Sequence, residues 1–201
     1  MLLQVRVRLA DRPGSLGRVT WLLGALGVDI RQVVVLGRES GRAVDDFTVE
    51  LPGAVSRERL IATLQDVPGV LVDGVWPASA PPGSASDVGV LGQVAADPER
   101  GLATLVDAVP RLVGAQWAAL VTGTDRVEYA SVGAPDTVVA LEPLRARVYD
   151  TEDGCRYAMA PLGAGTPPMS LVVARRDAPL FHAAELDRLI ELAGAAHAVL
   201  G

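Results

Sequence analysis

Hydrophobic and polar positions in the first 76 residues follow two alternating periods. Leu3, Val5, Val7 and Leu9 alternate with Gln4, Arg6 and Arg8, which predicts a strand with one face in a core and one polar face. From Ser15 the spacing becomes helical: Leu16, Val19, Leu22 or Leu23 and Leu26 form one stripe, and Gly27 stops it. Val28 to Leu36, rich in β-branched residues, predicts a second strand, and Gly37 to Gly41 a polar turn. Val44, Phe47, Val49 and Leu51 predict a third strand, less regular at Asp45 and Asp46. Ser56 is placed to cap a second helix with Leu60, Ile61 and Leu64 on its buried face. Pro68 and Gly69 end it, and Val70, Val72 and Val75 lead a fourth strand. The order is βαββαβ, the ferredoxin-like plan. Two helices cover one face of such a sheet. The other face needs a second layer, most simply a copy of itself in another subunit.

The pattern then lapses. Pro77, Pro81, Pro82 and Gly83 with interspersed Ala and Ser predict a linker over 77–87 between a domain of residues 1–76 and another of 88–201. In the second domain, Leu102, Leu105, Val106, Val109 and Leu112 predict a helix over 98–113. Trp117 to Val121 and Val127 to Ser131 predict a hairpin turning at Gly123, Thr124 and Asp125. Residues 132–155 give only short apolar pieces, Val138 to Leu141 and Leu144 to Val148, divided by Pro143. Tyr157 to Leu162 and Met169 to Ala174 predict strands joined by a 163–168 loop, and a last helix runs from about Ala183 to Val199. The expected class is α+β throughout, the second domain having an antiparallel sheet and terminal helices.

Composition narrows the function. The chain has 201 residues, 50% of them hydrophobic, enough for two small cores. Every basic residue is arginine; residues 1–76 are neutral overall, and 77–201 carry the whole net charge of −6. An acidic half without a basic patch argues against nucleic acid as a partner. No apolar run is long enough to span a membrane, and Cys155 is the only cysteine, so the expectation is a soluble cytoplasmic protein without an intrachain disulfide. His182 and His197 stand fifteen residues apart, which gives no metal-binding pair, and no metal or cofactor is expected. His182, Ala183, Ala184 and Glu185 read as a helix start. No paired histidine can be inferred for Cys155, and Trp21, Trp76 and Trp117 read as core or interface anchors.

The chemistry concentrates in the turn Asp11, Arg12, Pro13, Gly14, Ser15, Leu16. A helix start leaves backbone N–H groups without partners and carries positive potential, so it can hold a carboxylate. Gly14 allows a close backbone turn. Asp11 is able to accept from an ammonium group, and Leu16 with Ile30 to line an apolar part. The plainer alternative is that Asp11 or Ser15 merely caps the helix. Arg12 either pairs with a carboxylate or is solvated. Arg31, Arg38, Arg42, Asp45 and Asp46 are read as a polar rim, most of it surface.

This turn, followed by Val19, Leu22, Leu23, Leu26, Gly27, Val28, Asp29 and Ile30, closely resembles an ACT domain, a small regulatory module that usually binds amino acids. The resemblance implies a pocket where two domains meet side by side. Asp11, Pro13, Gly14, Ser15 and Leu16, with Arg12 projecting from the same turn, would form one side, and Val28, Asp29 and Ile30 of a neighbour the other. Binding members frequently have Asn where this chain has Asp29, and an aspartate cannot donate to the ligand's carboxylate. Ala160 to Leu162, Ser170 to Arg175, Pro179 to Phe181 and the helix from Glu185 resemble a GAF-like domain. Together the resemblances imply a non-enzymatic, homodimeric regulator or sensor of a small ligand, an amino acid first. Its C-terminal half would dimerise, bind a second small molecule or contact a protein. The alternatives are a structural interaction module without a ligand and, third, a small enzyme, for which no acid–base constellation is evident.

Overall fold

The computed structural model describes residues 1–78, 85–138, 140–152, 154–163 and 167–201. The chain divides into two compact units, Met1–Pro82 with Asp177–Pro179, and Gly83–Arg176 with Leu180–Gly201.

The N-terminal unit runs β1 (Leu2–Ala10), α1 (Ser15–Ala25), β2 (Asp29–Glu39), β3 (Arg42–Glu50), α2 (Arg57–Gln65) and β4 (Leu71–Pro77), with the antiparallel sheet order β2-β3-β1-β4. This is the βαββαβ plan. Alternation along β1 sets the register: Val5 lies opposite Phe47 on one side and Val75 on the other. These face Val19 and Leu23 of α1 and Leu60 and Leu64 of α2, all fully buried. Each such side chain contributes roughly 1.5–3 kcal/mol by leaving water. Leu16, expected in the stripe, is 37% exposed and lies outside the buried face of α1 that Val19 and Leu23 form. Ser56 caps α2, its hydroxyl accepting from the Arg59 N–H at 3.2 Å.

Two expectations for this unit are corrected. The 37–41 turn is only two residues long: Ser40 and Gly41 both take positive φ, 50° and 76°, so β2 stays paired as far as Glu39. Such a turn matches the strand twist and needs no longer loop. Nor are Asp45 and Asp46 a surface rim. They lie within an unbroken β3 and are 3% and 7% exposed. Asp46 sits directly across from Arg6, which donates to both of its carboxylate oxygens at 2.7 Å and stands 5.5 Å from the Trp76 ring. The edge strand β2 is irregular at two places, with register shifts between Ile30 and Gln32 and between Val35 and Gly37.

The C-terminal unit contains α3 (Asp87–Ala96), α4 (Gly101–Val113), β5 (Trp117–Thr122), β6 (Arg126–Ala130), β7 (Arg147–Asp150), β8 (Cys155–Pro161), β9 (Met169–Arg176) and α5 (Ala183–Leu200). Its antiparallel sheet has the order β6-β5-β9-β8-β7. Alternation sends Ala118, Leu120, Ala158, Leu171 and Val173 toward the three helices. Trp117, Ala119, Val121, Met159 and Val172 point to the opposite face, where Val138 and Ala140 join them. The ambiguous 132–155 stretch thus supplies a core piece and the edge strand β7. Of the predicted linker, residues 79–84 lie outside the described residues, as do 164–166 of the predicted 163–168 loop. Helix α3 was not anticipated: Ser86 caps it, accepting from the Gly89 N–H, and Val90 and Val94 are buried. A fully buried arginine ties this unit together. Arg175 donates to both oxygens of Glu185 at 2.7 and 3.1 Å and to the carbonyls of Leu180 and Gly114 at 3.1 and 3.4 Å. Its guanidinium lies 4.0 Å from the centre of the Phe181 ring. Glu185 also accepts from the His182 N–H at 2.6 Å, so the helix start expected at His182 is a capping box.

Candidate ligand site at the first helix

Strand β1 ends at Ala10, and the chain turns through Gly14, whose φ of 85° makes it a left-handed N-cap without a side-chain hydrogen bond. Neither Asp11 nor Ser15 caps the helix. The carboxylate of Asp11 instead pairs with Arg38 at 2.9 Å. The Ser15 N–H donates to the Arg12 carbonyl at 3.1 Å and the Arg18 N–H to the Gly14 carbonyl at 3.3 Å. The N–H groups of Leu16 and Gly17, between them, have no acceptor among the described residues. The helix start therefore presents two free donors together with its positive end.

Beside these donors runs a groove of about 640 Å³ between α1 and α2, lined by Gly14, Gly17, Arg18, Trp21, Leu22, Thr63 and the residues that end α2. Nothing stands within 4 Å of where a Cβ would project from Gly14 or Gly17, so both glycines leave the groove open. Trp21, expected to be a core or interface anchor, is 74% exposed and lines the groove, so it is not a core residue. A smaller cavity of about 340 Å³ adjoins the groove, between the start of α1 and the segment that connects α2 to β4. Arg18, Val67 and Pro68 border both. Arg18, Trp21 and Leu22 line the groove although they lie outside the turn expected to bind. The spacing Gly14, Gly17 or Arg18, Trp21 marks one helical face and was the available signal.

The second predicted group is not brought to the first. Asp29 and Ile30 begin β2, whereas the Gly14 turn precedes α1, and eleven helical residues separate the two ends by about 16 Å. Val28 is buried in the core, Ile30 is half-buried, and Asp29 pairs with Arg31 at 3.2 Å. Arg31 also hydrogen-bonds Glu50, which holds the Glu50 carboxyl below its usual range and raises Arg31. Asp45 is different: one of its oxygens is buried with no hydrogen-bond partner, and burial, reinforced by the charges of Asp46 and Asp11, pushes its pKa up. Along its whole length β2 is exposed or half-buried, with Val33, Val34 and Val35 open to solvent.

The family model for the ACT domain matches residues 3–72, which covers β1 to the start of β4 and the turn before α1. Residues 3–72 are an ACT domain. No curated protein matches the chain significantly. Among solved structures, an unknown protein from Galdieria sulphuraria is 14% identical, aligned over 98% of this chain and 90% of that one, with a TM-score of 0.35. The regulatory subunit of aspartate kinase from Thermus flavus is 15% identical over 100% and 93%, with a TM-score of 0.32. Superpositions this loose carry no functional weight. Among the described residues, no group of three or more His, Cys, Asp or Glu could hold a metal ion, and no helix is long and apolar enough to cross a membrane.

Proposed function

We propose that the ACT domain binds an amino acid at the start of α1 and that the protein is a non-enzymatic, homodimeric regulator. The observation that carries this reading is the pair of free N–H groups on Leu16 and Gly17, beside a glycine-lined groove. The ligand's carboxylate accepts from them, and its side chain lies along Gly17 and Leu22. Asp11, Arg12, Pro13, Gly14, Ser15 and Leu16 make this half of the site. Val28, Asp29 and Ile30 of a second copy supply the other half, with Asp29 accepting from the ligand's ammonium. What supports a second copy is β2, a long edge strand exposed along its length and carrying three exposed valines. The resemblance of Ala160 to Leu162, Ser170 to Arg175 and Pro179 to Phe181 to a GAF-like domain extends the proposal to the C-terminal unit, which would receive or relay the signal to a small molecule or a protein. A cytoplasmic location belongs to the same reading, in a sequence with a single cysteine.

Calorimetric titration of the full chain with each amino acid tests the binding. Saturable heat for one of them, lost in Gly14→Leu and in Asp29→Lys with the circular dichroism unchanged, is the expected result. Silence across the full set would overturn it. For the dimer, Val35→Lys should shift the sedimentation coefficient to that of a monomer. A second reading, an interaction module without a ligand, is favoured by the Asp11–Arg38 and Asp29–Arg31 pairs, because each carboxylate already has a cation beside it.

A further inference from the structure

Of the nine arginines in residues 3–72, Arg12, Arg18, Arg42, Arg57 and Arg59 have no carboxylate partner among the described residues, and three of these five share one cavity. Arg6, Arg8, Arg31 and Arg38 each pair with a carboxylate, at Asp46, Asp73, Asp29 with Glu50, and Asp11. Among the described residues Arg12 and Arg18 have no side-chain partner, and Arg42 uses only one nitrogen, on the Gly69 carbonyl at 2.9 Å. These three line the same cavity of about 340 Å³, and no acid lines it. Ser15 adds a hydroxyl with no partner, while Leu9, Val67 and Val70 make the other wall apolar.

Solvated surface arginines need no explanation one by one. Three arginines that line one concave space without an acid in its lining are different, because like charges held close together repel. The compensation they fit is an anion of more than one charge, bound by the forked donors that suit phosphate and carboxylate oxygens. The volume lies at the small end of the range for small-molecule sites, large enough for a head group with a short apolar body. We infer that this cavity is a second binding site of the ACT domain, taking a small molecule with a dianionic head group. The head group, a phosphate monoester or a dicarboxylate, sits among Arg12, Arg18, Arg42 and the Ser15 hydroxyl. Its body lies against Val67 and Val70. Arg12 and Ser15 belong to both proposals, but this site uses their side chains where the other uses the helix-start N–H groups, and it is complete within one chain.

The test is an NMR titration of the isotopically labelled full chain with glycerol phosphate, and separately with succinate and with glycerol. Saturable shifts of the Ser15, Arg42 and Gly69 amides with either dianion, and none with glycerol, are expected; the tighter of the two identifies the head group. Arg12→Gln and Arg18→Gln, both at exposed positions, should each weaken binding about tenfold, which corresponds to about 1.4 kcal/mol. Asp66→Asn, which removes the acid bordering the neighbouring groove, should tighten it. Arg59→Gln, on the exposed side of α2, should change it less than twofold. The inference is overturned if neither dianion saturates by about 10 mM, or if Arg59→Gln weakens binding as much as Arg18→Gln, which would mean unspecific charge attraction. Calorimetry with the amino acids that carry a single carboxylate reads the other proposal separately, so either site can fail alone.

Discussion

Replacing Arg175 by Met should loosen the C-terminal unit far more than any surface arginine would. The side chain is fully buried, and its four hydrogen bonds reach Glu185, Leu180 and Gly114, three separate points of the unit. Methionine keeps most of the stem and leaves the Glu185 carboxylate, only 10% exposed, without its cation. Breaking a buried pair by removing one partner costs about 3–5 kcal/mol. Glu185 keeps the His182 N–H as a donor, which places the expected loss near the lower end, about 3 kcal/mol. That corresponds to roughly a hundredfold faster amide exchange through opening of α5 and β9, with residues 1–76 unaffected. Exchange measured by mass spectrometry on the full chain resolves the two regions. The double variant Arg175→Met, Glu185→Leu removes both charges and should recover part of the loss, leaving the His182 N–H unpaired at about 1 kcal/mol. If Arg175→Met changes α5 exchange by less than about threefold, or if the double variant is as damaged as the summed singles, the pair does not hold the unit as described.

Asp45→Asn should stabilise the protein in a pH-dependent way. Because the folded pKa lies above the ordinary 3.8, the folded state holds this proton more tightly than the unfolded one, so the parent loses stability as pH rises through that window. Melting temperatures of parent and variant should therefore converge below pH 3.8 and part above it, the variant higher. Gly101→Ala places a Cβ 2.6 Å from Leu200 and 3.2 Å from the Val94 carbonyl, and urea unfolding should show a loss of about 1–3 kcal/mol, partly restored by Leu200→Ala. Ser131→Ala removes the hydroxyl that accepts the buried Ala118 N–H at 2.8 Å, at an expected cost of about 1–3 kcal/mol in the same assay.

What could be read in the sequence depended on whether one element decided it or two. Alternation at Leu3 to Leu9 and the stripe Val19, Leu23 are local, and both elements stand where the periodicity puts them. The turn at Gly14 was equally local. Asp45 and Asp46 misled because their burial is decided by register: Arg6 faces Asp46 only once β1 and β3 are aligned, and no pattern within either strand states that alignment. Helix α3 was hidden for another reason. Gly89 and Gly92 dilute the Val90 and Val94 spacing just after a Pro-rich run, although Ser86 and Asp87 are an ordinary helix start. The arginine cavity was out of reach, since Arg12, Arg18 and Arg42 come from a turn, a helix and a strand.

The two register shifts in β2 bear on how the protein behaves when it is concentrated. An exposed edge with Val33, Val34 and Val35 is the kind of strand that recruits further strands and grows into fibres. In β2 the regular ladder between the shifts is Gln32 to Val35, four residues or about 13 Å. Each bulge adds local twist, so a strand laid along this edge runs straight for that length only before it is turned aside. Four residues suffice to seat one neighbour when side chains help. They give too short a template for an open-ended stack, so the irregularities in β2 act as a brake on polymerisation.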